Sequence, residues 1–214
     1  FLLLAFSVFT FLSCRKEAAD ELQTPETPDL KTETVISGYE IIWGMDFLPG
    51  GDLIFGEKRG KLYRKSGDSV TEITGFPEVL SSGQGGLLDI RVHPDYSENQ
   101  WIYASYAARK SGGGGELRLI RFKITGDRIQ NVESLFTTNG SNTWYGHYGS
   151  RIVFDEDNHL FLSVGEGGSA SYGGPGTGNN NALDPKSDWG KIHRLNDDGS
   201  IPSDNPVIPG NGGP

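Results

Sequence analysis

The sequence predicts an all-β fold of short antiparallel strands set out in repeats, and three observations carry that reading. Glycine supplies 31 of the 214 residues, about twice its usual share of ~7%. The apolar residues come in short runs, and no long stretch has the period of an amphipathic helix. A strand–turn–strand unit also recurs, with copies beginning at residues 45, 90 and 151.

The first copy reads Met45-Asp-Phe-Leu-Pro-Gly-Gly-Asp-Leu-Ile-Phe-Gly-Glu57. The second runs from Ile90 to Tyr106 and the third from Arg151 to Gly165. Each places a short apolar strand before a turn rich in Pro, Asp, Asn or Gly, and a second strand after it. Pro and Asp pre-set the turn backbone, while Gly and Asn tolerate positive φ. Further strands are expected at 61–64, 116–124 and 191–195. Arg118-Leu-Ile-Arg-Phe-Lys-Ile124 alternates charged and apolar residues, as a half-buried outer strand does. A spacing of roughly 45–60 residues with several strands per repeat is that of propeller blades. A β-sandwich is the alternative, and the recurrence of the turn motif at long spacing favours the propeller. Propellers have about 4–8 blades, so residues 35–214 are expected to be the N-terminal part of the domain, about half of it.

Ahead of the repeats, residues 1–12 are almost entirely apolar, FLLLAFSVFTFL. The run is shorter than the ~20 residues that span a bilayer as a helix, and it fits the apolar region of a signal peptide. It ends at Leu12-Ser13-Cys14, and Cys14 is the sole cysteine of the chain. The pattern resembles a bacterial lipobox, so residues 1–14 are expected to be a lipoprotein signal peptide with Cys14 acylated. An ordinary signal peptide with an incidental Cys is the alternative. Residues 15–34 are charged and rich in Pro and Thr, too poor in apolar surface to offset ordering entropy. They are expected to be a flexible tether. The protein is then held at the cell envelope by its lipid, facing the periplasm or the exterior. One Cys excludes a disulfide framework within the chain. A net charge of −9 without a basic stripe argues against a nucleic-acid partner.

Four polar side chains stand where chemistry could occur. Gln84 lies in Ser82-Gly-Gln-Gly-Gly-Leu-Leu-Asp-Ile90, on a glycine loop just before a strand, with both an amide donor and an acceptor. His147 lies between aromatics and glycines in Trp144-Tyr-Gly-His-Tyr-Gly-Ser-Arg151. There an imidazole could act as a general base near neutral pH, or be a packed structural group. Arg151 opens the following strand, placed to hold a neighbouring loop or to reach an anionic ligand. Glu166 begins a long glycine-rich loop, 165–181, and could contact a ligand or cation. His93, before Pro94 in a turn, is expected to bond the turn backbone.

Taken together, five segments resemble the PQQ-dependent sugar dehydrogenases, in particular the aldose sugar dehydrogenase branch related to soluble glucose dehydrogenase. They are Trp43-Gly-Met-Asp-Phe-Leu-Pro49, Gly83-Gln-Gly-Gly-Leu-Leu-Asp-Ile90, His93-Pro-Asp-Tyr96, His147-Tyr-Gly-Ser-Arg-Ile-Val-Phe154 and the stretch from Trp189 to Pro206. The resemblance implies a six-bladed propeller with pyrroloquinoline quinone (PQQ) on its axis and Ca²⁺ beside it. It implies an aldose substrate that loses its anomeric proton to a His while the C1 hydride passes to the quinone. His147 matches the position of that base, and Gln84 matches the pocket glutamine. Arg151 and Glu166 are then expected cofactor contacts, and the electron acceptor is unspecified. Two departures accompany the match. Gly146 stands where soluble glucose dehydrogenase has an acidic residue, and residues 165–170 contain no Arg to pair with the cofactor's carboxylates. A non-catalytic carbohydrate-binding or scaffold propeller without cofactor is the rival reading.

Overall fold

The computed structural model describes residues 30–168, 178–207 and 209–210. The expected leader, Cys14 and the tether up to residue 29 lie outside the described residues, as does the loop segment 169–177. Residues 30–37 carry no strand or helix. None of the described helices is long and apolar enough to cross a membrane.

Eleven strands follow, in three antiparallel sheets, each contiguous in sequence. The first is β1 (Ile42–Phe47), β2 (Leu53–Glu57), β3 (Leu62–Ser66) and β4 (Ser69–Ile73), paired in that order. The second is β5 (Leu87–Val92), β6 (Ile102–Arg109), β7 (Gly115–Thr125) and β8 (Arg128–Thr137). The third is β9 (Gly149–Phe154), β10 (Leu160–Val164) and β11 (Lys191–Leu195), with β10 in the middle. Four-stranded meanders stacked face to face are propeller blades. A sandwich would pass strands between two sheets, and this chain completes one sheet before starting the next.

The expected strands at 61–64, 116–124 and 191–195 are β3, β7 and β11. One position differs. The segment 118–124, expected to be the outer strand, is the third of four, because β8 covers it. β8 escapes a reading by pattern because, of its ten residues, only Ile129 is buried. β4 likewise buries only Ile73.

The middle blade is apolar on both faces because it has a neighbour on each side. Along β6, Ile102, Ala104, Tyr106 and Ala108 join the core shared with the first blade. Tyr103 and Ala107 join the core shared with the third, beside Leu117, Leu119, Ile152, Leu160 and Leu162. This is the period-two alternation of a strand, with both sets of side chains buried.

Two contacts bring the innermost strands close. A Cβ at Gly44 of β1 would lie 2.8 Å from Ile90 N and 2.9 Å from Leu88 O, so only a glycine lets β1 sit this near β5. Next to it, Asp46 Oδ2 accepts the Val92 N–H at 2.8 Å. One junction further on, Asp89 of β5 accepts the Ile152 N–H of β9 at 2.8 Å. All three innermost strands carry a one-residue bulge near their starts. These fall between Ile42 and Gly44, between Leu87 and Asp89, and in β9 opposite the Leu162–Val164 interval.

His93 behaves as expected of a turn residue. Its Nδ1 accepts the Asp95 N–H at 2.9 Å and lies 2.8 Å from Asn99 Nδ2. The ring is therefore neutral, with its proton on Nε2, 3.6 Å from Asp197 Oδ2. Burial pulls the imidazole below its ordinary value, against the opposing pull of Asp197 and Asp95. The unfolded chain then takes up the proton first, at about pH 6.5. Stability should be full above that pH and fall as the pH drops from there through the folded-state value. Chemical denaturation between pH 7.5 and 5 checks this, and His93→Gln should flatten that part of the profile.

Candidate functional site

Gln84, His147 and Glu166 come from three loops at one end of the blades: before β5, before β9 and after β10. The structure brings all three together. Gln84 Oε1 accepts the backbone N–H of His147 at 2.8 Å, and the Gln84 N–H donates to Tyr145 O at 2.7 Å. The two loops therefore clasp each other. Gly83 makes the approach achievable, since a Cβ there would collide with Tyr145 O. Lys58, on the β2–β3 turn, donates to Gly83 O at 2.5 Å and adds a cation to this rim.

His147 Nδ1 is paired with Glu166 Oε1. Partial burial works to raise the Glu166 carboxyl, but the His147 hydrogen bond and its backbone donors hold it below the usual value. An ionised carboxylate only accepts, so the proton of the neutral ring sits on Nδ1 and Nε2 is the basic nitrogen. A histidine oriented through one ring nitrogen by a carboxylate is an arrangement that catalytic histidines commonly share. Trp144 stands edge-on to the imidazole, ring centroids 4.9 Å apart and planes at 85°. Its ring occupies the space that side chains at Gly146 or Gly168 would need. Side-chain exposures of 40% for His147 and 26% for Glu166 leave the pair open to a ligand.

The backbone around the histidine is strained. Tyr145, His147 and Ser150 have φ of 62°, 47° and 97°, a region that costs a non-glycine residue roughly 1–3 kcal/mol. Asn142, 3% exposed, supports this loop from below. Its Nδ2 donates to Gly146 O at 2.6 Å and its Oδ1 accepts the Tyr145 N–H at 2.8 Å. Nothing in the polar string Thr-Asn-Gly-Ser-Asn-Thr marks Asn142 out.

Arg151 and Glu166, both expected to contact a cofactor, each have a protein partner. Glu166 buttresses the histidine, and Arg151 Nη1 pairs with Asp89 Oδ1 at 2.8 Å. Gly146 has no side chain to offer the histidine, whose carboxylate comes from the end of β10. Among the described residues no group of three His, Cys, Asp or Glu side chains could hold a metal ion.

The stacked blades define a β-propeller, with the buttressed histidine at the mouth of their innermost strands. The chain belongs to the glucose/sorbosone dehydrogenase family, whose pattern it matches over residues 39–213. It is 33% identical over 198 residues to the uncharacterized protein slr1608 of Synechocystis, covering 87% of this chain and 48% of the relative. To the aldose sugar dehydrogenase YliI of Escherichia coli it is 29% identical over 171 residues, covering 78% and 44%. The solved PQQ-bound aldose sugar dehydrogenase of Streptomyces coelicolor superposes with a TM-score of 0.65 at 30% identity, covering 83% of this chain and 51% of that one. The chain thus spans about half the length of the relatives it matches.

Asn142→Ala would leave the Gly146 carbonyl and the Tyr145 N–H without partners. The expected loss is about 1–3 kcal/mol, read by urea denaturation.

Proposed function

We propose that this chain forms part of a sugar dehydrogenase that oxidises an aldose at C1. The observation that carries the proposal is the Glu166–His147 pair, clasped to Gln84 at the mouth of the innermost strands. His147 Nε2 takes the proton of the anomeric hydroxyl as the hydride leaves C1, so that the aldose becomes a lactone. Glu166, ionised and bonded to Nδ1, stabilises the imidazolium that forms. The Nε2 amide group of Gln84 is left to donate to a ligand oxygen, because Oε1 is engaged with the His147 backbone.

The donor set fits a planar, acidic quinone: an amide, a histidine, the Trp144 ring and the Lys58 ammonium share this rim. PQQ, when bound, supplies the two-electron acceptor for the hydride. Gln84 and Lys58 would hold it. Calcium, implied by the resemblance, finds no ligand cluster among the described residues. The rival, a carbohydrate-binding propeller without cofactor, draws support from Arg151, whose guanidinium is engaged with Asp89.

With full-length protein, PQQ and an aldose, dye reduction should be seen. His147→Ala should lower kcat by about 10²–10⁴-fold, the usual worth of a general base. Glu166→Gln should lower it less and leave PQQ binding, followed by absorbance, intact. Tight sugar binding with no PQQ uptake would establish the rival. We further propose that Cys14 is acylated and residues 15–34 tether the domain to the membrane. Cys14→Ser should then move the protein from the membrane pellet to the soluble fraction.

A further inference from the structure

The innermost strands β5 and β9 each carry a bulge a few residues after a candidate site residue. In β5, Leu87 faces Tyr106 but Asp89 faces Ser105, so Leu88 is the extra residue. In β9, Gly149 faces Val164 but Ile152 faces Leu162, which sets Ser150 and Arg151 against Ser163 alone. Bulges bend a strand and re-aim what precedes it. Here what precedes them is Gln84 in one case and His147 in the other.

Bulges also leave backbone groups without ladder partners, and the partners found here are side chains. Ser105 Oγ accepts the Asp89 N–H at 3.2 Å and donates to Ser150 O at 2.8 Å. One hydroxyl therefore ties the β5 bulge to the β9 bulge. Asp89 makes the second tie, accepting the Ile152 N–H at 2.8 Å through Oδ2 and pairing with Arg151 through Oδ1. Ser163 Oγ accepts the Arg151 N–H at 3.0 Å. Asp89, Ser105 and Ser150 are 3%, 0% and 1% exposed, so water cannot take over these bonds. Ser150 sits at φ 97°, a conformation that persists only where its surroundings hold it.

We propose that Asp89 and Ser105 are positioning residues that lock the two bulges together and thereby set His147 against Gln84. The proposal rests on the sugar dehydrogenase reading only for its kinetic consequence, and its geometric content stands without it. Asp46 provides an internal control. It makes the same carboxylate-to-backbone bond, to the Val92 N–H, at a junction remote from His147.

The test is native-state hydrogen exchange on full-length protein, read at two amides that peg the histidine loop. These are His147, bonded to Gln84 Oε1, and Gly165, bonded to Tyr148 O. Ser105→Ala is the mild variant, Asp89→Ala the severe one, and Asp89→Asn keeps an acceptor for the Ile152 N–H. Both alanine variants should speed exchange at the two amides by about tenfold or more relative to Asp46→Ala, with Asp89→Asn restoring part of the protection. In the active protein, kcat should fall by about tenfold in Ser105→Ala with KM little changed, because orientation is lost and binding is not. Unchanged exchange in Ser105→Ala, or equal acceleration in Asp46→Ala, overturns the proposal. If wild-type protein proves inactive, the exchange result still decides the geometry, and the sugar dehydrogenase reading alone fails.

Discussion

The innermost strand is the edge of its sheet, so N–H groups on its open side have no ladder partner, and in this protein the preceding blade supplies the acceptor. Asp46 does so for Val92, and Asp89 does so for Ile152. Each carboxylate has an arginine beside the strand it grips, Arg91 for the first and Arg151 for the second. A buried donor left unpaired would cost about 1–3 kcal/mol, more than a typical hydrogen bond contributes. The blades are therefore stacked by apolar side chains but indexed by these polar bonds, since apolar packing alone tolerates sliding. Burial pushes the Asp89 carboxyl up, against the pull of the Ile152 N–H and Arg151. That balance marks an anion kept inside by its partners rather than by solvent.

The site inherits its precision from this indexing. Gln84 and His147 belong to successive blades, so their bond is a measure of how the blades are set. The loop that carries His147 passes through three non-glycine residues with positive φ and is held by Asn142, Gln84 and the β10 end. Strain of this kind gathers where a side chain has to be presented at a fixed angle. The Glu166 carboxyl, held low by the histidine it faces, keeps the ring in the tautomer that leaves Nε2 basic.

The His147–Glu166 pair and the clasping Gln84 all lie within the part of the family pattern that this chain carries, residues 39–213. Arg151 is engaged with Asp89, while Lys58 reaches the rim from the first blade. The histidine–carboxylate pair and the lysine thus come from different blades. A fold assembled from repeats permits such a division, because each blade offers its own loops to the same mouth.

By itself the sequence determined the strand pairs, their turns and their repetition. Period-two alternation, Gly, Asn and Asp positions, and the motifs around Gln84 and His147 all act over a few residues, and a few residues are what a sequence displays. β4 and β8 stayed hidden because their exposed faces need no apolar pattern. The partnerships of the site were decided by tertiary structure alone. Glu166 meets a histidine 19 positions away, Asp89 meets Ile152 across 63, and Ser105 meets Ser150 across 45. The first arises from the pairing of β9 with β10 and the other two from the stacking of one blade on the next, and chain separation of that size leaves no local trace of which polar group will face which.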